Sequence, residues 1–226
     1  MAVATGLARE ARIADGAAVR TVAGGGDGRK LAADLKRLAA EGAAGFVSFG
    51  IAGATDPELP PGRCVIATEV IQGAVHWIAD PAWAAALLGA VPGSDEVRMM
   101  GSDHPVSEVA QKRLFWQRGA SAVDMETHIV ARTAAELGLP FAVMRVIADP
   151  ADRALPPAAR VGLGSDGRAD IGAVLRSLLH HPGQLPALLA TALEVEAAFR
   201  ALRFARRRLH APGFCFPELK RRPQAA

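Results

Sequence analysis

Four acidic side chains stand where apolar runs of this chain give way to polar ones. Asp124 and Glu126 flank Met125 in SAVDMETHIV, Asp149 follows the apolar run FAVMRVIA, and Glu10 lies just past the first apolar run in TGLAREARI. Asp124 alone suits a helix N-cap after a strand. Glu126 is expected in the first helical turn, near the positive end of the helix dipole and above the carboxyl edge of a sheet, where open α/β folds bind ligands. Asp149 ends the next apolar run, so two carboxylates from successive strand ends should converge on one crevice; a turn-making role before Pro150 fits Asp149 equally well. Glu10 also suits an ordinary solvated helical position. Glu10, Glu126 and Asp149 together, with no metal ligands beside them, point to a reaction run by proton transfer and by binding of hydroxyl groups.

The elements that must position these acids alternate along the chain. Nearly continuous apolar runs predict strands at 2–5, 19–23, 45–49, 64–70, 97–100, 120–123 and 141–147. Apolar spacing of three and four predicts helices at 30–40 and 81–88, and a third at 125–137 that Gly138 and Pro140 close. This order implies an α/β domain around a mixed, mostly parallel sheet, with all 226 residues in one domain. Residues 150–168 hold too much Pro and Gly for an ordinary connector, which makes them a lid candidate. From Gln184 a long helix is expected, with Leu185, Leu188, Ala192, Val195, Phe199 and Leu202 on one stripe that packs on the body, on a second subunit, or on a membrane surface. Gly24–Gly26 fits neither GxGxxG nor GxxxxGK[ST], so a plain turn is expected there.

Charge and cysteine content narrow the function classes. Residues 199–222 carry eight Lys/Arg against one acid, so that segment holds +7 of a chain whose formal net charge is +3, and −4 is left for the remainder. A mildly acidic body argues against a nucleic-acid partner. Cys64 and Cys215 are isolated from one another in sequence, which predicts neither a zinc site nor a disulfide framework and suits a reducing cytoplasm. No metal and no cofactor are expected.

Four blocks, GLAREARI, SFGIAGATDPELPPGRCVIATEV, GSDHPVSEVAQKR and AVDMETHIVARTAAELGLPFAVMRVIADPAD, resemble the nucleoside phosphorylase and nucleosidase superfamily, which includes methylthioadenosine/S-adenosylhomocysteine nucleosidase. Beyond residue 150, RALPP and DGRADIGAVLRSLLHHPGQLPALL look like the hopanoid-associated branch. The resemblance implies a three-layer α/β/α sandwich and cleavage of the N-glycosidic bond of a 5′-modified adenosine, most nearly adenosylhopane going to ribosylhopane. Met125 and Glu126 match the pair that binds ribose, with Asp124 beside them. Asp149 matches the acid that protonates the five-membered ring of the purine, and Glu10 the base that activates water. Gly50, Ala52 and Gly53 match the loop that passes close to base and ribose, and Val106 a segment at the base edge. Relatives carry Ser or Thr at the position of Ile51, which tilts the expectation to water as nucleophile; Arg9, Arg12 or Arg29 could still hold phosphate as co-substrate. Pro105 stands where nucleosidases present a stacking aromatic. A homodimer is implied.

Overall fold

The computed structural model describes residues 1–16, 19–161 and 171–209. Residues 162–168 of the lid candidate, Cys215 and the basic residues Lys220, Arg221 and Arg222 lie outside them. The elements run β1 (Ala2–Thr5), α1 (Ala8–Ala14), β2 (Arg20–Ala23), α2 (Gly28–Ala40), β3 (Phe46–Ala54), β4 (Cys64–Gln72), β5 (Val75–Ile78), α3 (Pro81–Ala90), β6 (Asp95–Gly101), α4 (Val109–Gln117), β7 (Ala122–Asp124), α5 (Thr127–Glu136), β8 (Phe141–Asp149), α6 (Pro157–Val161), α7 (Ile171–His180) and α8 (Leu185–Arg208).

One eight-stranded sheet organises them, in the order β2-β1-β3-β7-β6-β4-β5, with β8 bridging β3 and β4. Parallel ladders join β1 to β2 and β3, β3 to β8, and β6 to β4 and β7. Antiparallel ladders join β3 to β7, β4 to β5 and β4 to β8. The sheet is therefore mixed and mostly parallel, as the sequence predicts. The double pairing of β8 adds something the sequence does not announce: β3, β7, β6, β4 and β8 close into a ring.

Side-chain alternation assigns the helices to two faces. Ala2, Ala4, Val143 and Ile147 pack under Leu31, Leu35 and Leu38 of α2 and Ile129, Val130 and Ala134 of α5. Val3, Ala142, Met144, Val146 and Ala148 pack under Trp83, Ala84 and Leu87 of α3 and Ala198, Phe199, Leu202 and Ala205 of α8. Two helical layers thus enclose the sheet.

Helix α5 begins at Thr127, not at Met125. Asp124 remains the last residue of β7, and its Oδ1 accepts a hydrogen bond from the Thr127 N–H at 3.1 Å. Glu126 takes the N-cap position itself (φ −115°, ψ −32°) with no side-chain cap bond, so its carboxylate is not consumed in capping. Helices α4, α6 and α7 and strand β5 are absent from the sequence prediction, α6 lying inside the segment read as a loop; for α4 and β5 the omission has a physical reason. The buried residue of α4 is Lys112, so its inner face reads as polar. Strand β5 is a four-residue edge of which three residues are exposed. In the Gly24–Gly26 turn, Gly25 and Gly26 have φ of 61° and 83°, and Asp27 then caps α2 by accepting from the N–H groups of Arg29 and Lys30. Among the described residues, no helix is long and apolar enough to cross a membrane.

Candidate active site

The site is built around a cation that the sequence reading missed. Arg145 interrupts the apolar strand β8 and is fully buried. Its Nη2 lies 2.5 Å from Asp124 Oδ2 and 3.7 Å from Glu126 Oε2, and donates to Ser48 Oγ at 2.7 Å and Thr127 Oγ1 at 3.2 Å. Thr127 Oγ1 in turn donates to Asp124 Oδ2. A guanidinium without water around it requires such partners. Asp124 is therefore engaged on both oxygens inside the protein, holding Arg145 and the start of α5.

Glu10 comes to the same cluster from α1. Its Oε2 accepts from the N–H groups of Gly6 and Leu7, each at 2.8 Å, and its Oε1 accepts from Ile51 N at 2.8 Å. Three of the roughly four lone-pair positions of a carboxylate are then occupied. This corrects the solvated position that its local sequence suits: Glu10 is fully buried and ties the β1–α1 turn to β3. Burial pushes its carboxyl above the ordinary carboxylate range, against the opposing pull of Arg145 and of the three backbone donors. Gly50 makes the arrangement possible. A Cβ there would stand 2.4 Å from both Arg145 Nη1 and Glu10 Oε1.

Glu126 packs over glycine backbone. A Cβ on Gly6 would lie 2.8 Å from Glu126 Oε1, and one on Gly24 3.7 Å from Glu126 Cγ. Its carboxyl is pushed up to about 8, first by burial and then by the neighbouring Asp124 charge; Arg145 opposes the shift and Glu10 adds to it. Three acids thus surround one guanidinium. Arg145 Nε and Nη1 are buried without an internal hydrogen-bond partner, and such donors call for an acceptor from a ligand or from water. Among the described residues no three His, Cys, Asp or Glu side chains are grouped as metal ligands.

Asp149 forms a second group at the adjoining strand end. Its Oδ2 lies 2.6 Å from Lys112 Nζ, and that wholly buried ammonium also donates to the carbonyls of Pro150 and Arg153 at 2.6 and 2.8 Å. Burial raises the Asp149 carboxyl, while the hydrogen bond and charge of Lys112 hold it back. Gly53 lies against the Asp149 carboxylate. It pairs with Val123 on β7 and with Asp149 on β8, and a Cβ there would be 3.3 Å from Asp149 Oδ2. The β3–β8 register slips at Ala52/Gly53, leaving Ala148 without a β3 partner. That slip changes the alternation that puts Arg145 on the α2/α5 side, and so re-aims Asp149.

The remaining expected positions fall nearby. Ala52 is buried under the same β3 end and Met125 is half-buried between Asp124 and Glu126. Val106 packs in a small cluster with Ile71, Met100 and Val123. The candidate phosphate arginines go elsewhere: Arg9 pairs with Glu196 and lies over the Phe199 ring, Arg12 donates to the Ala8 carbonyl, and Arg29 is exposed on α2. Arg145 had a detectable signal, a lone charge inside a two-face-buried apolar strand, whereas Lys112, with Glu108 four residues before it, reads as an ordinary solvated helical lysine.

Comparison with known proteins fixes the lineage. The family profile described as Phosphorylase superfamily matches residues 9–179. The chain belongs to the phosphorylase superfamily. No curated protein sequence matches it. Solved structures similar to this superfamily member include a 5′-methylthioadenosine/S-adenosylhomocysteine nucleosidase from Neisseria meningitidis in complex with methylthio-immucillin-A. That similarity has a TM-score of 0.59 at 18% identity and covers 91% of this chain and 96% of that one. The corresponding nucleosidase from Helicobacter pylori, with butyl-thio-DADMe-Immucillin-A, gives a TM-score of 0.61 at 13% identity over 92% and 97% of the two chains. Futalosine hydrolase of Helicobacter pylori gives 0.60 at 16% identity over 79% and 96%. At these identities the neighbours speak for the fold.

Proposed function

We propose that this protein cleaves the N-glycosidic bond of a 5′-modified adenosine and releases adenine. The observation that carries the reading is the set of buried carboxyl groups: Glu10 and Glu126 around Arg145, and Asp149 at the end of β8 on Lys112. As the bond to the base stretches, positive charge develops on the ribose. Glu126 accepts hydrogen bonds from the sugar hydroxyls, with Met125 against the sugar face, and the acids around Arg145 place negative charge nearby. Asp149 gives its proton to the departing purine, and burial favours the protonated form that this requires. The lone-pair position left on Glu10 accepts a proton from the attacking water. Gly50, Ala52 and Gly53 keep the approach to base and ribose open, and Val106 backs the base edge.

Water is the favoured nucleophile. Ile51 has no hydroxyl, its N–H is already given to Glu10, and Arg9 is committed to Glu196. Phosphorolysis is the second reading, because Arg145 keeps two buried donors without internal partners. No cofactor is required.

For the substituent at the 5′ position we favour a large hydrocarbon, with adenosylhopane as substrate and ribosylhopane as product in hopanoid synthesis. The support is the resemblance of RALPP and DGRADIGAVLRSLLHHPGQLPALL and the basic C-terminal segment from about residue 184, which suits peripheral contact of a cytoplasmic homodimer with the inner membrane. Methylthioadenosine and S-adenosylhomocysteine are the alternative substrates, favoured by the names of the fold neighbours. Adenine release from adenosylhopane, methylthioadenosine and S-adenosylhomocysteine, with and without phosphate, separates these readings. The proposal expects phosphate-independent release, fastest from adenosylhopane; faster release from the small compounds overturns the lipid substrate, and release from none overturns the activity.

A further inference from the structure

Helix α8 does not bury its whole length. Its inner face, Ala198, Phe199, Leu202 and Ala205, packs on the body, whereas Leu185, Leu189 and Leu193 are 47, 58 and 71% exposed and Phe204 is 57% exposed. At about 100° per residue, Leu185, Leu189, Leu193, Arg200, Phe204 and Arg207 share one arc of about 100° on the outer face. The stripe predicted from sequence holds only in its second half, because Leu185 and Ala192 turn out exposed. The outer face is sorted along its length, with leucines at the start and Arg200, Arg203, Arg207 and Arg208 at the end.

We infer that this outer face of α8 docks the protein on an anionic lipid surface, and that docking is mechanically joined to the site. The inference rests on the proposed activity only for its purpose, not for its physics. Charge selects the occupant. The acids on this part of α8, Glu194 and Glu196, already pair with Arg153 and Arg9, so the remaining ionic character of the face is cationic. A second copy meeting it in parallel would set arginines against arginines, and in antiparallel would set arginines against leucines. A bilayer carrying anionic headgroups satisfies both halves, taking the leucines into the interface while the arginines reach the headgroups. Leu179 of α7, the helix just before, is also strongly exposed.

The joint to the site is the same pair of ion pairs. Arg9 lies one residue before Glu10, and Arg153 lies on the segment that Lys112 holds next to Asp149. Helix α8 therefore clasps the two chain segments that carry the proposed base and acid.

The test is co-sedimentation of the full-length protein with vesicles of phosphatidylcholine alone and of phosphatidylcholine with phosphatidylglycerol, at low and high salt. The expected result is binding to the anionic vesicles that weakens with salt. Arg200→Ala/Arg207→Ala should weaken it about 30-fold, at about 1 kcal/mol per arginine, and Leu189→Ser/Leu193→Ser should weaken it too. Both variants should leave adenine release from a soluble adenosine unchanged, so a failure here is separable from a failure of the proposed activity. Wild-type protein that ignores anionic vesicles overturns the inference, as does binding unaffected by either double substitution. Sedimentation velocity supplies a third overturning result: a wild-type oligomer that Leu189→Ser/Leu193→Ser dissociates makes the face a protein interface.

Discussion

Lys112→Met is the substitution with the most to say about the second group of the site. The lysine is wholly buried and gives hydrogen bonds to one carboxylate and two carbonyls, so methionine keeps the stem and removes every polar contact. Breaking a buried ion pair from one side costs about 3–5 kcal/mol, because the surviving charge is left in a poor solvent. In a chain of this length that corresponds to a loss of about 6–20 °C in Tm. The pH dependence of catalysis should move as well. Lys112 is what lowers the Asp149 carboxyl against burial, so its removal lets that carboxyl rise further and keeps Asp149 protonated to higher pH. Rate is lost on the alkaline side when the acid loses its proton; hence the alkaline limb of the adenine-release profile should shift to higher pH in the variant. A double-mutant cycle with Asp149→Asn isolates the pair, and the two losses should be strongly non-additive. An additive cycle, or an alkaline limb that stays put or shifts to lower pH, refutes the reasoning.

Gly50→Ala places a methyl group on Arg145 Nη1 and Glu10 Oε1, and the overpacking should cost at least about 1–3 kcal/mol by thermal or denaturant unfolding, with activity falling further than stability explains. Glu126 has its carboxyl raised to about 8, so the folded protein holds a proton that the unfolded chain releases near its ordinary value. Stability should consequently fall as pH rises between about 5 and 8, and Glu126→Gln should flatten that slope in urea titrations. Phe199→Ala empties a buried position under α8 and removes the ring beneath Arg9, which should cost about 3–5 kcal/mol.

Much of the architecture was legible because its strands are covered on both faces. Among the described residues, seven of the eight strands produce apolar runs long enough to see, and the alternation with helices gives the mixed, mostly parallel sheet. Ring closure was not legible, since it depends on β8 pairing with both β3 and β4, and pairing partners leave no local signature. Helix α4 hid for the opposite reason, its one buried side chain being a lysine. In the site, residue types showed where acids end strands but not what holds them. Glu10 fits an ordinary helical position in sequence and is buried in space. Asp124 faces inward to a guanidinium that the apolar run around Arg145 concealed. The one-residue slip at Ala52/Gly53 that re-aims Asp149 is a property of register, invisible in composition or periodicity.

The most direct measurement is adenine release by Asp149→Asn compared with wild type on the best adenosine substrate, with Tm recorded for both. Loss of general acid catalysis predicts a fall of about 10²–10⁴-fold with the fold retained. An unchanged rate in a folded variant contradicts proton donation by Asp149, and with it the proposed cleavage chemistry.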